Sequence, residues 1–257
     1  MMLKWKLMLT TLPFVAVVTV LKVILQYGVK FEGVVEFSDV GVVLTGAVFL
    51  TGFLLAGTMA DYKESEKLPG ELANTLETIE DLLSLAEKQK PGAVDGKALK
   101  GEVLRLTSSI HDWLVKKLTT AQVLDVFNEV NGVVHKLEAA GAGNAGMRVL
   151  QELSNVRKSV LRIDVISRTG FLPPAYALLE VLLTMILGLL MTSKFKSPVA
   201  EFILVPFVAL VNIYMLRLIK DIDDPFDYAP DGSKNGGAEV DLFPITEYRD
   251  RLSARLK

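Results

Sequence analysis

Four runs of this chain are long and apolar enough to cross a bilayer, at residues 7–26, 40–60, 171–193 and 198–219, and a charged block, residues 61–170, separates the second from the third. Crossing about 30 Å of hydrocarbon takes about 20 residues of α-helix, and only helices or closed barrels satisfy their backbone groups there. The runs lack the alternation of barrel strands, so they are predicted to be helices. Composition agrees: 51% of residues are hydrophobic, yet 23% are charged and nearly all of these lie outside the four runs. The expected class is therefore an all-α membrane protein. Residues 1–60 would hold transmembrane helices 1 and 2, 61–170 a cytoplasmic helical bundle, 171–219 transmembrane helices 3 and 4, and 220–257 a cytoplasmic tail.

The first run follows Lys4 and Lys6, as a signal peptide would, but it is too long and Gln26–Lys30 offers no small-residue cleavage site, so it is read as a permanent helix. Orientation follows from the basic residues near the span ends. Lys4, Lys6, Lys63, Lys67, Arg157, Lys158, Arg162, Arg168, Arg217 and Lys220 fall on one side, and Lys30, Lys194 and Lys196 on the other. The positive-inside bias then puts both termini and the central block in the cytoplasm. A net charge of -2 gives no footprint for nucleic acid, and the absence of cysteine excludes disulfides and thiolate metal sites.

Within the block, apolar residues recur at three and four residues in four stripes. These are Leu72, Leu76, Ile79, Leu83 and Ala86; Val103, Leu106, Ile110, Trp113 and Leu114; Val123, Phe127, Val130, Val134 and Leu137; and Val149, Leu153, Val156, Val160 and Ile163. Pro91-Gly92, an N-cap at Thr119-Thr120 and the Gly141–Asn144 linker separate them. The bundle is expected to continue into the second and third membrane helices, with no strand. The polar tail is predicted to be extended along the bundle or disordered up to a last helix near Glu247–Leu256.

No phosphate-binding glycine loop, nucleophile elbow or metalloprotease helix is present, His111 and His135 read as packing or exposed residues, and no catalysis or cofactor is expected. Ionisable groups inside spans are costly, which singles out Lys22 and Glu180. Lys22 could snorkel to the outer interface, and Glu180 could bond Asn212 of the fourth span. The second span is uncharged from Val40 to Ala60, and Gly52, Ala56 and Ala60 make a small-residue ridge suited to close helix contact or to a pore wall. The acidic run after the fourth span makes Asp221, Asp223, Asp224 and Asp227 weak calcium candidates, although EF-hand spacing is missing.

Several passages resemble bestrophins and bestrophin-like membrane domains: Gly52-Phe53-Leu54-Leu55-Ala56 through Tyr62, Glu71 and Ala73; Leu172-Pro173-Pro174 before the third span; Asp224-Pro225-Phe226 past the fourth; and Asp241-Leu242-Phe243-Pro244 in the tail. The order of spans and bundle covers nearly the whole chain. The resemblance implies a homo-oligomeric, pentameric channel for chloride or other small anions in a prokaryotic plasma membrane, its axis lined by the second helices at Thr45, Val48, Gly52 and Ala56. The lipid bilayer, further copies of the chain and small anions are the implied partners. The chain departs from the family at Gly57-Thr58-Met59-Ala60-Asp61-Tyr62, where an arginine and an aromatic pair are usual, and Val48, Gly52 and Ala56 fall where the family has a bulky apolar neck. Two other classes share the layout: a proton-driven stator subunit using Glu180, and a non-conducting scaffold or signalling adaptor.

Overall fold

The computed structural model describes residues 2–170 and 172–257, with side chains from Trp5 onward. Phe171, the expected first residue of the third span, and the side chain of Lys4 lie outside the described residues. In chain order the elements are α1 (Met2–Val23), a π-helical turn (Ile24–Gly28), β1 (Val35–Glu36), α2 (Phe37–Ser65), α3 (Leu68–Gln89), α4 (Gly96–Leu114), α5 (Thr120–Val130), α6 (Gly132–Ala139), α7 (Gly143–Arg168), α8 (Pro173–Thr192), β2 (Ser193–Lys194), α9 (Pro198–Asp223) and α10 (Phe243–Leu256). Helices long and apolar enough to cross a membrane occur at the four places read from the sequence, in α1, α2, α8 and α9.

The chain folds as two units. One holds the segment up to Tyr62, Gly170–Asp224 and Gly236–Ala238, and therefore the four apolar helices. Here α1 and α9 run antiparallel, because Lys22 meets Glu201 at one end while Arg217 donates to Thr10 and Thr11 at the other. Val15, Ala209 and Ile213 fill the space between them, and a second cluster joins Ala47 of α2 to Ile186, Leu190 and Val208. β1 and β2 pair in parallel, Val35 with Ser193 and Glu36 with Lys194, at the end that carries the loops before α2 and after α8. No strand was expected, since two residues are too few to show a period-2 pattern.

The other unit holds Lys63–Thr169, Pro225–Asn235 and Glu239–Lys257. Every residue of the four stripes is buried, so the helical period named the core of α3, α4, α5, α6 and α7 correctly. The third stripe is split, however: the helix breaks at Asn131 and restarts at Gly132, and α6 keeps the apolar face inward. Glycine's poor helix propensity at this position fits the break. A capping box between Thr119 and Gln122 starts α5, the Asp95 carboxylate starts α4 by accepting from the Ala98 N–H, and Gly92 and Gly141 take positive φ in the turns between helices. The described helices do not run unbroken from bundle to spans. α7 stops at Arg168 and α8 resumes at Pro173, since residues before proline avoid the helical region, and a turn at Glu66-Lys67 separates α2 from α3.

The tail is held on the bundle. α10 begins at Phe243, earlier than read from the sequence, with Pro244 in its first turn, and buries Ile245, Tyr248 and Leu252 against α3 and α4. Arg251 and Arg255 bind Glu77 and Glu80 of α3. Upstream, the buried Tyr228 hydroxyl bonds the Val240 carbonyl.

His111 of α4 packs near Arg249 of α10. Burial first, then that guanidinium, push its pKa down, with Asp112 opposing. A depressed imidazole pKa means the unfolded chain binds the proton more readily. The neutral ring therefore supports the fold above about pH 6.5, and that support is lost as the pH falls through the folded value. Thermal unfolding of full-length protein is expected to weaken below about pH 6.5, and His111→Gln should flatten that slope. An unchanged slope in the variant would remove His111 from the account.

Candidate functional site

The site begins with α2, which lacks charge from Val40 to Ala60 and is thinly covered by its own chain, only 11% of its most apolar stretch being buried. At about 100° per residue, Val48, Gly52, Thr45 and Ala56 fall within an arc of about 80°. All four are exposed, whereas Val40, Ala47, Thr51 and Thr58 are buried on another face. A Cβ added at Gly52 would meet nothing within 4 Å. The Thr45 hydroxyl donates to the Gly41 carbonyl at 2.8 Å, so its proton is committed to the helix. Next to this small edge lie Phe49 and Phe53, 74% and 71% exposed and one turn apart. The sequence reading passed over them, because a phenylalanine inside an apolar run gives no contrast; their i, i+4 spacing beside the small ridge was the usable signal.

The second component is at the loop end. Lys22 does not snorkel: its side chain is 6% exposed, and Nζ lies 3.3 Å from Glu201 Oε1 and donates to the carbonyls of Ser193 at 2.7 Å and Met191 at 3.2 Å. These carbonyls close the C-terminal end of α8, where a cation is favoured, and Glu201 sits in the first turn of α9, where an anion is favoured. Beside the pair is a cavity of about 10 Å³, bordered by Thr19, Gln26 and Tyr27, with room for a single water molecule. Gly33 (φ +78°) lies so close to the chain after α8 that a Cβ would come within 3.0 Å of backbone atoms of residues 192–194. Gly33→Ala should therefore lower the melting temperature by several degrees, and a melt equal to wild type would refute this close approach. Glu201 was missed at the sequence level; Ser197-Pro198 followed by a carboxylate in the first turn was its signal.

Glu180 and Asn212 are not brought together. Glu180 is exposed and accepts from Lys220 at 2.7 Å, while Asn212 turns back to its own helix and donates to the Val208 carbonyl at 2.9 Å. Three of the four candidate aspartates lie against separate groups. Asp221 accepts from the Gly237 N–H, Asp223 lies beside Gly170 and Tyr176, and Asp227 is held by Lys116 and Asn235. Among the described residues no three His, Asp or Glu side chains gather to hold a metal. His111 and His135 contact Asp112 and Glu138 and join neither component.

The architecture is that of a four-span helical membrane protein with a helical bundle inserted between the second and third spans. Among solved structures this fold is that of bacterial bestrophin homologues. The chain is similar to a crystal structure of a point variant of a Klebsiella pneumoniae bestrophin homologue (TM-score 0.72, 13% identity, 98% of each chain covered) and to one of the same homologue phased on zinc (TM-score 0.72, 12% identity, 97% of this chain and 98% of that one). A further crystal structure, of a membrane protein variant, superposes with a TM-score of 0.73 at 11% identity. Such identities establish the fold and fit a distant relative. No protein-family profile and no curated protein matches the chain.

Proposed function

We propose that the chain assembles into a homo-oligomeric channel, a pentamer, that passes chloride or other small anions along an axis lined by α2. The observation that carries this reading is the uncharged, exposed arc of α2 bearing Thr45, Val48, Gly52 and Ala56. A surface of that kind is stable only against lipid, another copy or a pore. Small residues favour close approach of copies, and without carboxylates the wall has nothing with which to hold a cation. Phe49 and Phe53, on the adjoining edge, seal neighbouring α2 helices against lipid. Selectivity then arises from dehydration at an apolar wall, because the Thr45 proton is already used and Lys22 is neutralised by Glu201.

The charge asymmetry at the span ends supports both termini and the bundle on the cytoplasmic side. Labelling supplies the check: cysteines placed at Lys30 and Ser193 should react from outside and one at Gly92 should not, and the reverse pattern would invert the topology. For assembly and conduction, the purified protein should run as a closed oligomer by native mass measurement and should release chloride from loaded liposomes. A monomer that leaves the liposomes intact would promote a scaffold role.

A further inference from the structure

The loop end of the membrane unit gathers a series of contacts around the start of α2. Lys22 Nζ donates to the Ser193 and Met191 carbonyls, and its charge is paired with the Glu201 carboxylate at 3.3 Å. The same nitrogen lies 5.6 Å from the centroid of the Phe195 ring, within cation–π range. Phe195 in turn stacks on Phe37, the first residue of α2, with centroids 4.6 Å apart and planes at 26°. Immediately before Phe37, Glu36 is the backbone strand partner of Lys194, and the Val34 N–H donates to the Thr192 carbonyl at 2.9 Å. Farther along, α2 joins its own chain through the small cluster at Ala47, with Leu44 beside it.

We propose that Lys22, Glu201 and Phe195 are positioning residues for α2. The buried ion pair locks the turn between α8 and α9, Phe195 passes that constraint to Phe37, and the rotation of α2 about its own axis is set from this end. The geometry stands without any current; the consequence, that the arc presented to the axis depends on a charge pair outside it, rests on the channel reading above.

The chain has no cysteine, so Glu36→Cys with Lys194→Cys makes a clean disulfide trap in the full-length protein in membranes. Crosslinking should be rapid with the pair intact and at least about tenfold slower with Lys22→Met, which leaves Glu201 buried without its cation. Phe195→Leu, which keeps the pair and removes only the ring stack, should slow it as well. Lys22→Arg, which retains charge and donors, should restore it. If Lys22→Met does not accumulate, Phe195→Leu decides alone. Wild-type trapping rates in folded Lys22→Met or Phe195→Leu would overturn the proposal. Slowed trapping in a protein that passes no anions would sink the channel reading and leave this one standing.

Discussion

Tyr248→Ala is expected to cost the bundle unit about 3–5 kcal/mol, the usual loss for truncating a fully buried aromatic side chain. The ring is 0% exposed between α10 and the pair α3 and α4, and its hydroxyl donates to the Leu76 carbonyl at 3.0 Å. Burial, aided by the Glu80 carboxylate, raises the phenol's pKa, so the hydroxyl remains a donor throughout the working pH range. Tyr248→Phe separates the two contributions. It keeps the ring and removes one hydrogen bond, and should cost only about 1 kcal/mol. Urea unfolding followed by circular dichroism measures both, and limited proteolysis should cut the alanine variant first between Asp224 and Phe243 as α10 lets go. An alanine variant as stable as wild type would mean that the tail helix is not part of the bundle's core.

Why the bundle was legible and the site only partly so follows from the reach of each signal. Leu72, Leu76, Ile79 and Leu83 announce a buried helix face within a dozen residues of each other, and the four spans are visible from length and hydropathy alone. The Lys22 contact with Ser193 joins residues 171 positions apart, and no periodicity reports on such a pair. Lys22 was therefore noticed as a charge in an apolar run but given solvent as its partner, and the burial of Glu201 went unseen. Glu180 shows the opposite error. Its position within a span suggested burial, but hydropathy does not say which way a side chain faces, and this one points outward to Lys220. The exposed arc of α2 was half legible: the small ridge stood out as a repeat, whereas Phe49 and Phe53 blended into their surroundings.

The second large effect is functional. Gly52→Phe should reduce single-channel current by an order of magnitude or more, because a ring from each copy would be driven into the axis at one level and an apolar constriction stops ions by dewetting. Folding should survive, since a side chain at Gly52 meets nothing in its own chain. Phe53→Ala provides the contrast. With the small edge toward the axis, it should loosen assembly and leave current per channel close to wild type. Unchanged current in Gly52→Phe together with increased current in Phe53→Ala would mean that α2 is turned by about 100° and that the phenylalanine edge faces the axis.

The central claim, anion passage along α2, is tested most directly by the reversal potential of the purified wild-type protein in a planar bilayer under a potassium chloride gradient. The expected reversal potential lies near the chloride equilibrium value and moves with chloride when potassium is replaced by a large cation. A reversal potential that follows potassium, or a bilayer that remains silent at high protein load, would contradict it.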